Sequence, residues 1–112
     1  MNEATDREII VTLRLLFKPG TLDMVLEEII PIARLTREEP GNIEFNIYRP
    51  NGTLDQLLIF ERWTEQSALE QHWERNYTKR VLTLFDENLL HPLSQSDDVT
   101  YLSDVLGTPP SR

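Results

Sequence analysis

From Glu8 to Lys18 the chain alternates in steps of two, with Ile9, Val11, Leu13, Leu15 and Phe17 on one side and Thr12, Arg14 and Lys18 on the other. A two-residue period in a β-branched run belongs to a strand with one fully apolar face. Pro19-Gly20 ends it. Leu22, Val25, Leu26, Ile29, Ala33 and Thr36 then recur at steps of three and four, which predicts an amphipathic helix of about four turns. Thr21 is placed to cap that helix, Asp23 to meet its dipole, and Pro31 to remove one backbone donor and kink it.

After Pro40-Gly41, the run 42–49 sets Ile43, Phe45 and Ile47 against Glu44, Asn46 and Tyr48, a second strand. Pro50-Asn51-Gly52-Thr53 is a turn, because Asn-Gly tolerates positive φ angles, and 56–63 pairs back as a third strand. Thr64 follows as the expected N-cap of a second helix. Trp63 before it and Ala68 within it are placed like a hydrophobic staple, and Ala68, Leu69, His72 and Trp73 share one helical face. Val81, Leu82, Phe85 and Leu89 mark a third helical stretch over about 78–90, closed by His91-Pro92. A polar connector, Ser94 to Asp97, leads to a last strand over 99–106.

The order strand, helix, strand, strand, helix, helix, strand is, apart from the extra helix, a ferredoxin-like split βαβ arrangement of the α+β class with an antiparallel sheet. Helices on one face leave the other sheet face bare. Apolar residues fall there too, with Ile10 and Leu16 opposite the Ile9 set and Leu58 and Phe60 opposite Leu57 and Ile59. Such a face needs a cover, most simply a second sheet from another copy in a two-fold homodimer.

Composition narrows the reading. With 112 residues the chain is one domain, expected over 8–106, with flexible ends at 1–7 and 107–112. Eleven basic against 19 acidic side chains give a net charge of -8, which opposes phosphate backbones and anionic membrane surfaces, so neither nucleic acid nor membrane is an expected partner. No cysteine means no disulfide, thiol nucleophile or thiolate metal site. The first residues carry acids where a secretory leader has bases, and no stretch approaches the roughly eighteen apolar residues of a span, so the expected location is cytoplasmic.

Candidate chemistry is sparse. The four glycines, at 20, 41, 52 and 107, sit at turns and form no phosphate-binding loop, and the two histidines, His72 and His91, have no metal-ligand spacing. Neither a nucleotide cofactor nor a metal is expected from these patterns. His72 points inward with Ala68 and Leu69, so it is either a core residue with one satisfied hydrogen bond or a proton-transfer group in a pocket. Glu61 shares a strand face with Leu57, Ile59 and Trp63. It is either drawn to a pocket edge or paired with Arg14, Arg49 or Arg80. Trp73 and Tyr77 flank the break between the second and third helical stretches and either line a flat cavity or belong to the core. Arg14 is solvated, paired, or in reach of a substrate oxygen, and His91 is expected to be exposed.

Glu39-Pro40-Gly41-Asn42-Ile43-Glu44-Phe45, Phe60-Glu61-Arg62-Trp63-Thr64 and Ala68-Leu69-Glu70-Gln71-His72 together resemble the antibiotic biosynthesis monooxygenase (ABM) domain family, which includes quinol monooxygenases. The resemblance extends more loosely over 8–106. It implies a dimeric α+β barrel, with a pocket between sheet and helices in each subunit, and oxygenation of a quinol or polycyclic phenol by O2 without metal, flavin or haem. It implies His72 and Tyr77 as catalytic residues, His72 matching the family's helix histidine and Tyr77 standing where many members have a second histidine. Trp73, Glu61, Phe45, Phe60 and Arg14 are then the substrate-binding candidates. In the positions that related haem-degrading enzymes use, this chain has Thr12 or Leu13, His72 and Leu82, which do not suit haem. The alternatives are a binding or isomerising member without oxygenase activity and a structural dimerisation module in which His72 is core.

Overall fold

In a computed structural model the described residues, 8–93 and 98–107, form strand β1 (Ile9–Leu16), helix α1 (Leu22–Thr36), strands β2 (Asn42–Tyr48) and β3 (Gln56–Trp63), helices α2 (Gln66–Glu74) and α3 (Asn76–Asn88), and strand β4 (Val99–Leu102). The expected flexible ends, at 1–7 and beyond Gly107, and the connector 94–97 lie outside these residues. The sheet order is β2-β3-β1-β4, with every neighbouring pair antiparallel. Strands β1 and β2 therefore run parallel with β3 between them, the split βαβ form that the sequence predicts.

The two-residue period sorts side chains between sheet faces. Val11, Leu15 and Phe17 of the first strand region, Phe45 of β2, and Leu57, Ile59, Glu61 and Trp63 of β3 are all buried on the helix side. Leu22, Val25 and Ile29 of α1 and Phe85 of α3 close over the central part, where Phe17 and Phe85 meet edge to face at 5.8 Å. Trp63, Ala68 and Leu69 form a second cluster with Ile9 at the other end, so Trp63 and Ala68 pack together, although with Glu65 as N-cap they are not the N′–N4 pair of a staple.

Local details depart from the expectations for identifiable reasons. Neither Thr21 nor Thr64 caps through its side chain: the Thr21 hydroxyl donates to Lys18 O at 2.9 Å, and Glu65, not Thr64, precedes α2. The helix α1 runs through Pro31 to Thr36. A register irregularity between Asn42 and Glu44 takes Ile43 out of the core alternation and leaves it exposed. Only Arg75 separates α2 from α3, which begins at Asn76 rather than Thr78. β4 stops at Leu102, and Val105 and Leu106 are 94% and 93% exposed. Among the described residues no helix is long and apolar enough to cross a membrane.

On the other face, β-sheet register lines up Glu44, Arg62, Ile10 and Leu102 in one row and Asn46, Phe60, Thr12 and Thr100 in the next. Among the described residues no helix covers them.

The turn after α1 carries a close backbone approach. Gly41 has φ +86°, its carbonyl accepts the Thr64 N–H at 2.8 Å, and a Cβ there would stand 2.5 Å from Ala68 Cβ. Gly52 has a similar φ of +84° but open space around it. The left-handed conformation alone costs an L-residue roughly 1–2 kcal/mol, and forced overpacking adds roughly 1–3 kcal/mol. Gly52→Ala should therefore lose about 1 kcal/mol in urea unfolding and Gly41→Ala about 3 kcal/mol. Equal losses would show that α2 gives way freely at Ala68.

Candidate functional site

Strand register places Phe45, Glu61, Val11 and Tyr101 in one row across the helix side of the sheet. Beneath α2 and α3 the Glu61, Val11 and Tyr101 part of this row borders a cavity of about 270 Å³, whose lining also includes Leu13, Leu69, Trp73 and Leu82, while Phe45 lies outside it. Its walls are aliphatic and aromatic, and Glu61 is the carboxylate among them. The size lies near the lower end of the roughly 300–1,000 Å³ of small-ligand sites. Trp73 is 41% exposed and stands at the cavity's edge, not in the core.

Glu61 is buried, and Trp63 Nε1 donates to its Oε1 at 2.9 Å. Among the described residues no cation pairs with it; Arg49, one of the partners considered from sequence, pairs with Asp23 instead. Burial pushes the Glu61 carboxyl up to about 7; the Trp63 hydrogen bond pulls the other way, and the nearby Glu39 adds to the rise. Tyr101, next to Glu61 in the cavity, has its phenol raised by burial and then by the Glu61 charge.

A second set lies behind Trp63. The His72 ring sits 4.9 Å from the Trp63 ring and 5.9 Å from Phe45. His72 Nδ1 is 3.1 Å from both oxygens of Glu39, whose side chain is almost fully buried. Tyr77 donates its hydroxyl to Glu39 Oε2, and Arg75 Nε lies 3.3 Å from Glu39 Oε1 in a geometry that forms no hydrogen bond. With the two Glu39 oxygens facing Nδ1, the His72 tautomer is assigned with its proton on Nδ1. Burial lowers the imidazole's affinity for a proton, with Glu39 offsetting part of the loss. Burial first, then Glu39, pushes Tyr77 up to about 12, which keeps it a donor. His72, Phe45 and Thr78 border a separate cavity of only about 40 Å³. That is room for water but not for an aromatic ring.

The structure thus brings Glu61 and Trp73 to one cavity, and His72 and Tyr77 to one carboxylate. It does not bring Phe60 or Arg14 to either: both point to the opposite sheet face, where Arg14 borders an open groove with the exposed His91 at the Gln56 end of β3. Sequence reasoning assigned no role to Glu39, Arg75 or Tyr101. The alternation of β4 carries a signal for Tyr101, since Val99 and Tyr101 share a face, but Glu39 lies in a turn where no periodicity applies. Among the described residues no group of three or more His, Asp or Glu side chains is placed to hold a metal ion.

A family model described as antibiotic biosynthesis monooxygenase matches residues 8–83. The chain belongs to the antibiotic biosynthesis monooxygenase family. Solved structures similar to this ABM domain include one described as an antibiotic biosynthesis monooxygenase, with 20% identity, a TM-score of 0.77, and coverage of 87% of this chain and 98% of that one. Rv0793 from Mycobacterium tuberculosis has 21% identity and a TM-score of 0.76 over 88% of this chain and 95% of its own. A conserved protein from Methanosarcina mazei has 19% identity and a TM-score of 0.77 over 91% and 97%. At these identities the likeness carries the fold. No curated protein sequence matches the chain significantly.

The Glu61 environment makes a stability prediction. Below the ordinary value of 4.5 the carboxyl is protonated in both states; as pH rises towards 7 the unfolded chain releases its proton while the native ABM domain retains it, so stability falls. The loss levels off above pH 7 at an upper bound on the order of 3 kcal/mol. His72, lowered from 6.5, contributes with the opposite sign, losing stability as pH falls. Comparison with Glu61→Gln isolates the first effect: the variant should be the more stable protein at pH 8 by about 2–3 kcal/mol, the gap closing towards pH 4. A gap independent of pH in urea unfolding would place the Glu61 charge in water.

Proposed function

We propose that this ABM domain is a cofactor-independent monooxygenase of a quinol or polycyclic phenol, bound in the 270 Å³ cavity between sheet and helices. The observation that carries the reading is an apolar, aromatic-edged cavity holding a buried carboxylate without a cationic partner among the described residues. A planar hydrocarbon suits the Leu13, Leu69, Leu82 and Trp73 walls, and a hydroxyl suits the carboxylate.

The chemistry asks little of the protein. Removal of a phenolic proton leaves an electron-rich anion, which passes one electron to O2; the resulting radical and superoxide combine at a ring carbon to give a hydroperoxide. Its O–O bond breaks with loss of water, leaving a new carbonyl. For a dihydroxynaphthalene the sum is one substrate plus one O2 to one hydroxyquinone plus one water. The cavity's tasks are to take up the proton, orient the ring and keep bulk water from the intermediates. His72 and Tyr77, tied to Glu39, brace the wall behind Trp63.

The reading includes a homodimer, in which the sheet faces bearing Ile10, Leu58 and Phe60 pack together. The exposed Leu16, Tyr48 and Leu102 at that face's margins support it.

Wild-type protein should consume O2 with reduced menadione or 1,4-dihydroxynaphthalene and place one oxygen atom from labelled O2 in the product. Trp73→Ala should lower kcat/KM about tenfold, the equivalent of about 1.4 kcal/mol of lost ring contact, while leaving the fold intact because the side chain is half exposed. No O2 uptake above the autoxidation rate would refute the oxygenase reading. For the dimer, sedimentation at micromolar concentration should give twice the 13.1 kDa chain mass, and Phe60→Asp should halve it. A wild-type monomer would count against the barrel.

A further inference from the structure

We propose that Glu61 is the proton acceptor of this site, taking the hydroxyl proton of a phenolic ligand lying in the cavity against Trp73 and Tyr101. The inference rests on the phenol reading above and gives it a specific residue. Glu61 sits mid-wall, between Phe45 and Val11 in the sheet row, and projects into the cavity that Trp73 and Tyr101 border. Trp63 Nε1 fixes one oxygen at 2.9 Å, and among the described residues the other oxygen has no donor. A ligand hydroxyl supplies the missing donor. In the transfer the ligand O–H bond breaks, its electron pair stays on the ligand oxygen, and the proton goes to the carboxylate; it is returned to the peroxide oxygen that leaves as water.

His72 is poorly placed for the same task. Its Nδ1 faces Glu39, which leaves Nε2 as the ring's acceptor, but the cavity His72 borders is only about 40 Å³ and admits no aromatic ligand. The helix histidine then acts as a positioning residue, holding the Trp63 ring that holds Glu61.

Charge around Glu61 supports the assignment. Its sheet neighbours Val11 and Phe45 are uncharged, and α2 presents Leu69 and Trp73 at the cavity. Among the described residues the titratable groups facing it are Tyr101 from β4 and Glu39 from the turn after α1, the latter raising the carboxyl further. With burial it titrates at about 7, where a general base works best at neutral pH.

Two flat ligands of like shape and opposite polarity test this without oxygen chemistry. 1-Naphthol donates a hydrogen bond and should bind more tightly as pH rises through about 7; 1,4-naphthoquinone only accepts and should bind more weakly. Tryptophan fluorescence quenching should show opposed changes of roughly three- to tenfold between pH 6 and 8, and Glu61→Gln should flatten both. In O2 uptake with 1,4-dihydroxynaphthalene, Glu61→Gln should lower kcat at least about 100-fold, with KM within about threefold, and remove the acid limb of the pH profile. Parallel pH slopes for the two ligands, slopes that persist in Glu61→Gln, or an acid limb lost in His72→Asn but kept in Glu61→Gln would overturn the assignment. Failure of both ligands to bind would overturn it together with the aromatic-pocket reading. Opposed slopes without O2 uptake would uphold Glu61 as the acceptor and remove only the oxygenase function.

Discussion

The indole of Trp63 is the joint on which one end of this molecule depends. It ends β3, is fully buried, packs on Ala68 and Leu69, stacks near His72 and donates to Glu61. Burying so large a side chain contributes roughly 1.5–3 kcal/mol, but its polar edge needs a partner once it leaves water. A carboxylate supplies that partner. One contact thereby ties the docking of α2 to the position of an ionisable group, so the geometry of the cavity wall follows from the packing of the helix.

Two buried carboxylates flank this joint, and their partners separate their roles. Glu39 accepts from Tyr77, sits on His72 and has the Arg75 cation at 3.3 Å, so its charge is compensated within a closed cluster. Among the described residues Glu61 has only the neutral indole, and its charge is correspondingly unfavourable. Compensated burial makes a brace; uncompensated burial next to an open cavity makes a group ready to exchange a proton. The contrast turns on cavity volume as well, since about 40 Å³ beside His72 admits water and about 270 Å³ beside Glu61 admits a small ring.

Much of the fold was legible because periodicity reports faces. The strand β3 is Gln56–Trp63, as alternation predicts, and the apolar stripe of α1 closes the core. Caps were less legible: a threonine before a helix has several acceptors within reach, and Thr21 chose the Lys18 carbonyl. The site was legible in part. Glu61 stood out as an acid on an apolar face, and Trp73 as an aromatic beside it. The faces of Phe60 and Arg14 were not legible, because β1 and β3 carry apolar residues on both sides and only register decides which face meets the helices. Glu39 was invisible as a partner, since its burial comes from the tertiary approach of the Gly41 turn to Thr64 and Ala68.

The small size of the domain makes its buried acid more telling. In a chain of 112 residues the core is limited, and a carboxyl held protonated near neutrality weakens it by an appreciable part of the 5–15 kcal/mol typical of native stability. A leucine at the same position of β3 would extend the apolar row from Ile59 and avoid that loss. It would also leave the Trp63 N–H without its acceptor and the cavity without an ionisable group. The first deficit is local and could be met by any neutral acceptor, glutamine included. Only the second requires an acid. An acid at a position where a neutral acceptor would satisfy the indole is what the proposed proton exchange calls for, whereas a purely structural wall would not need it.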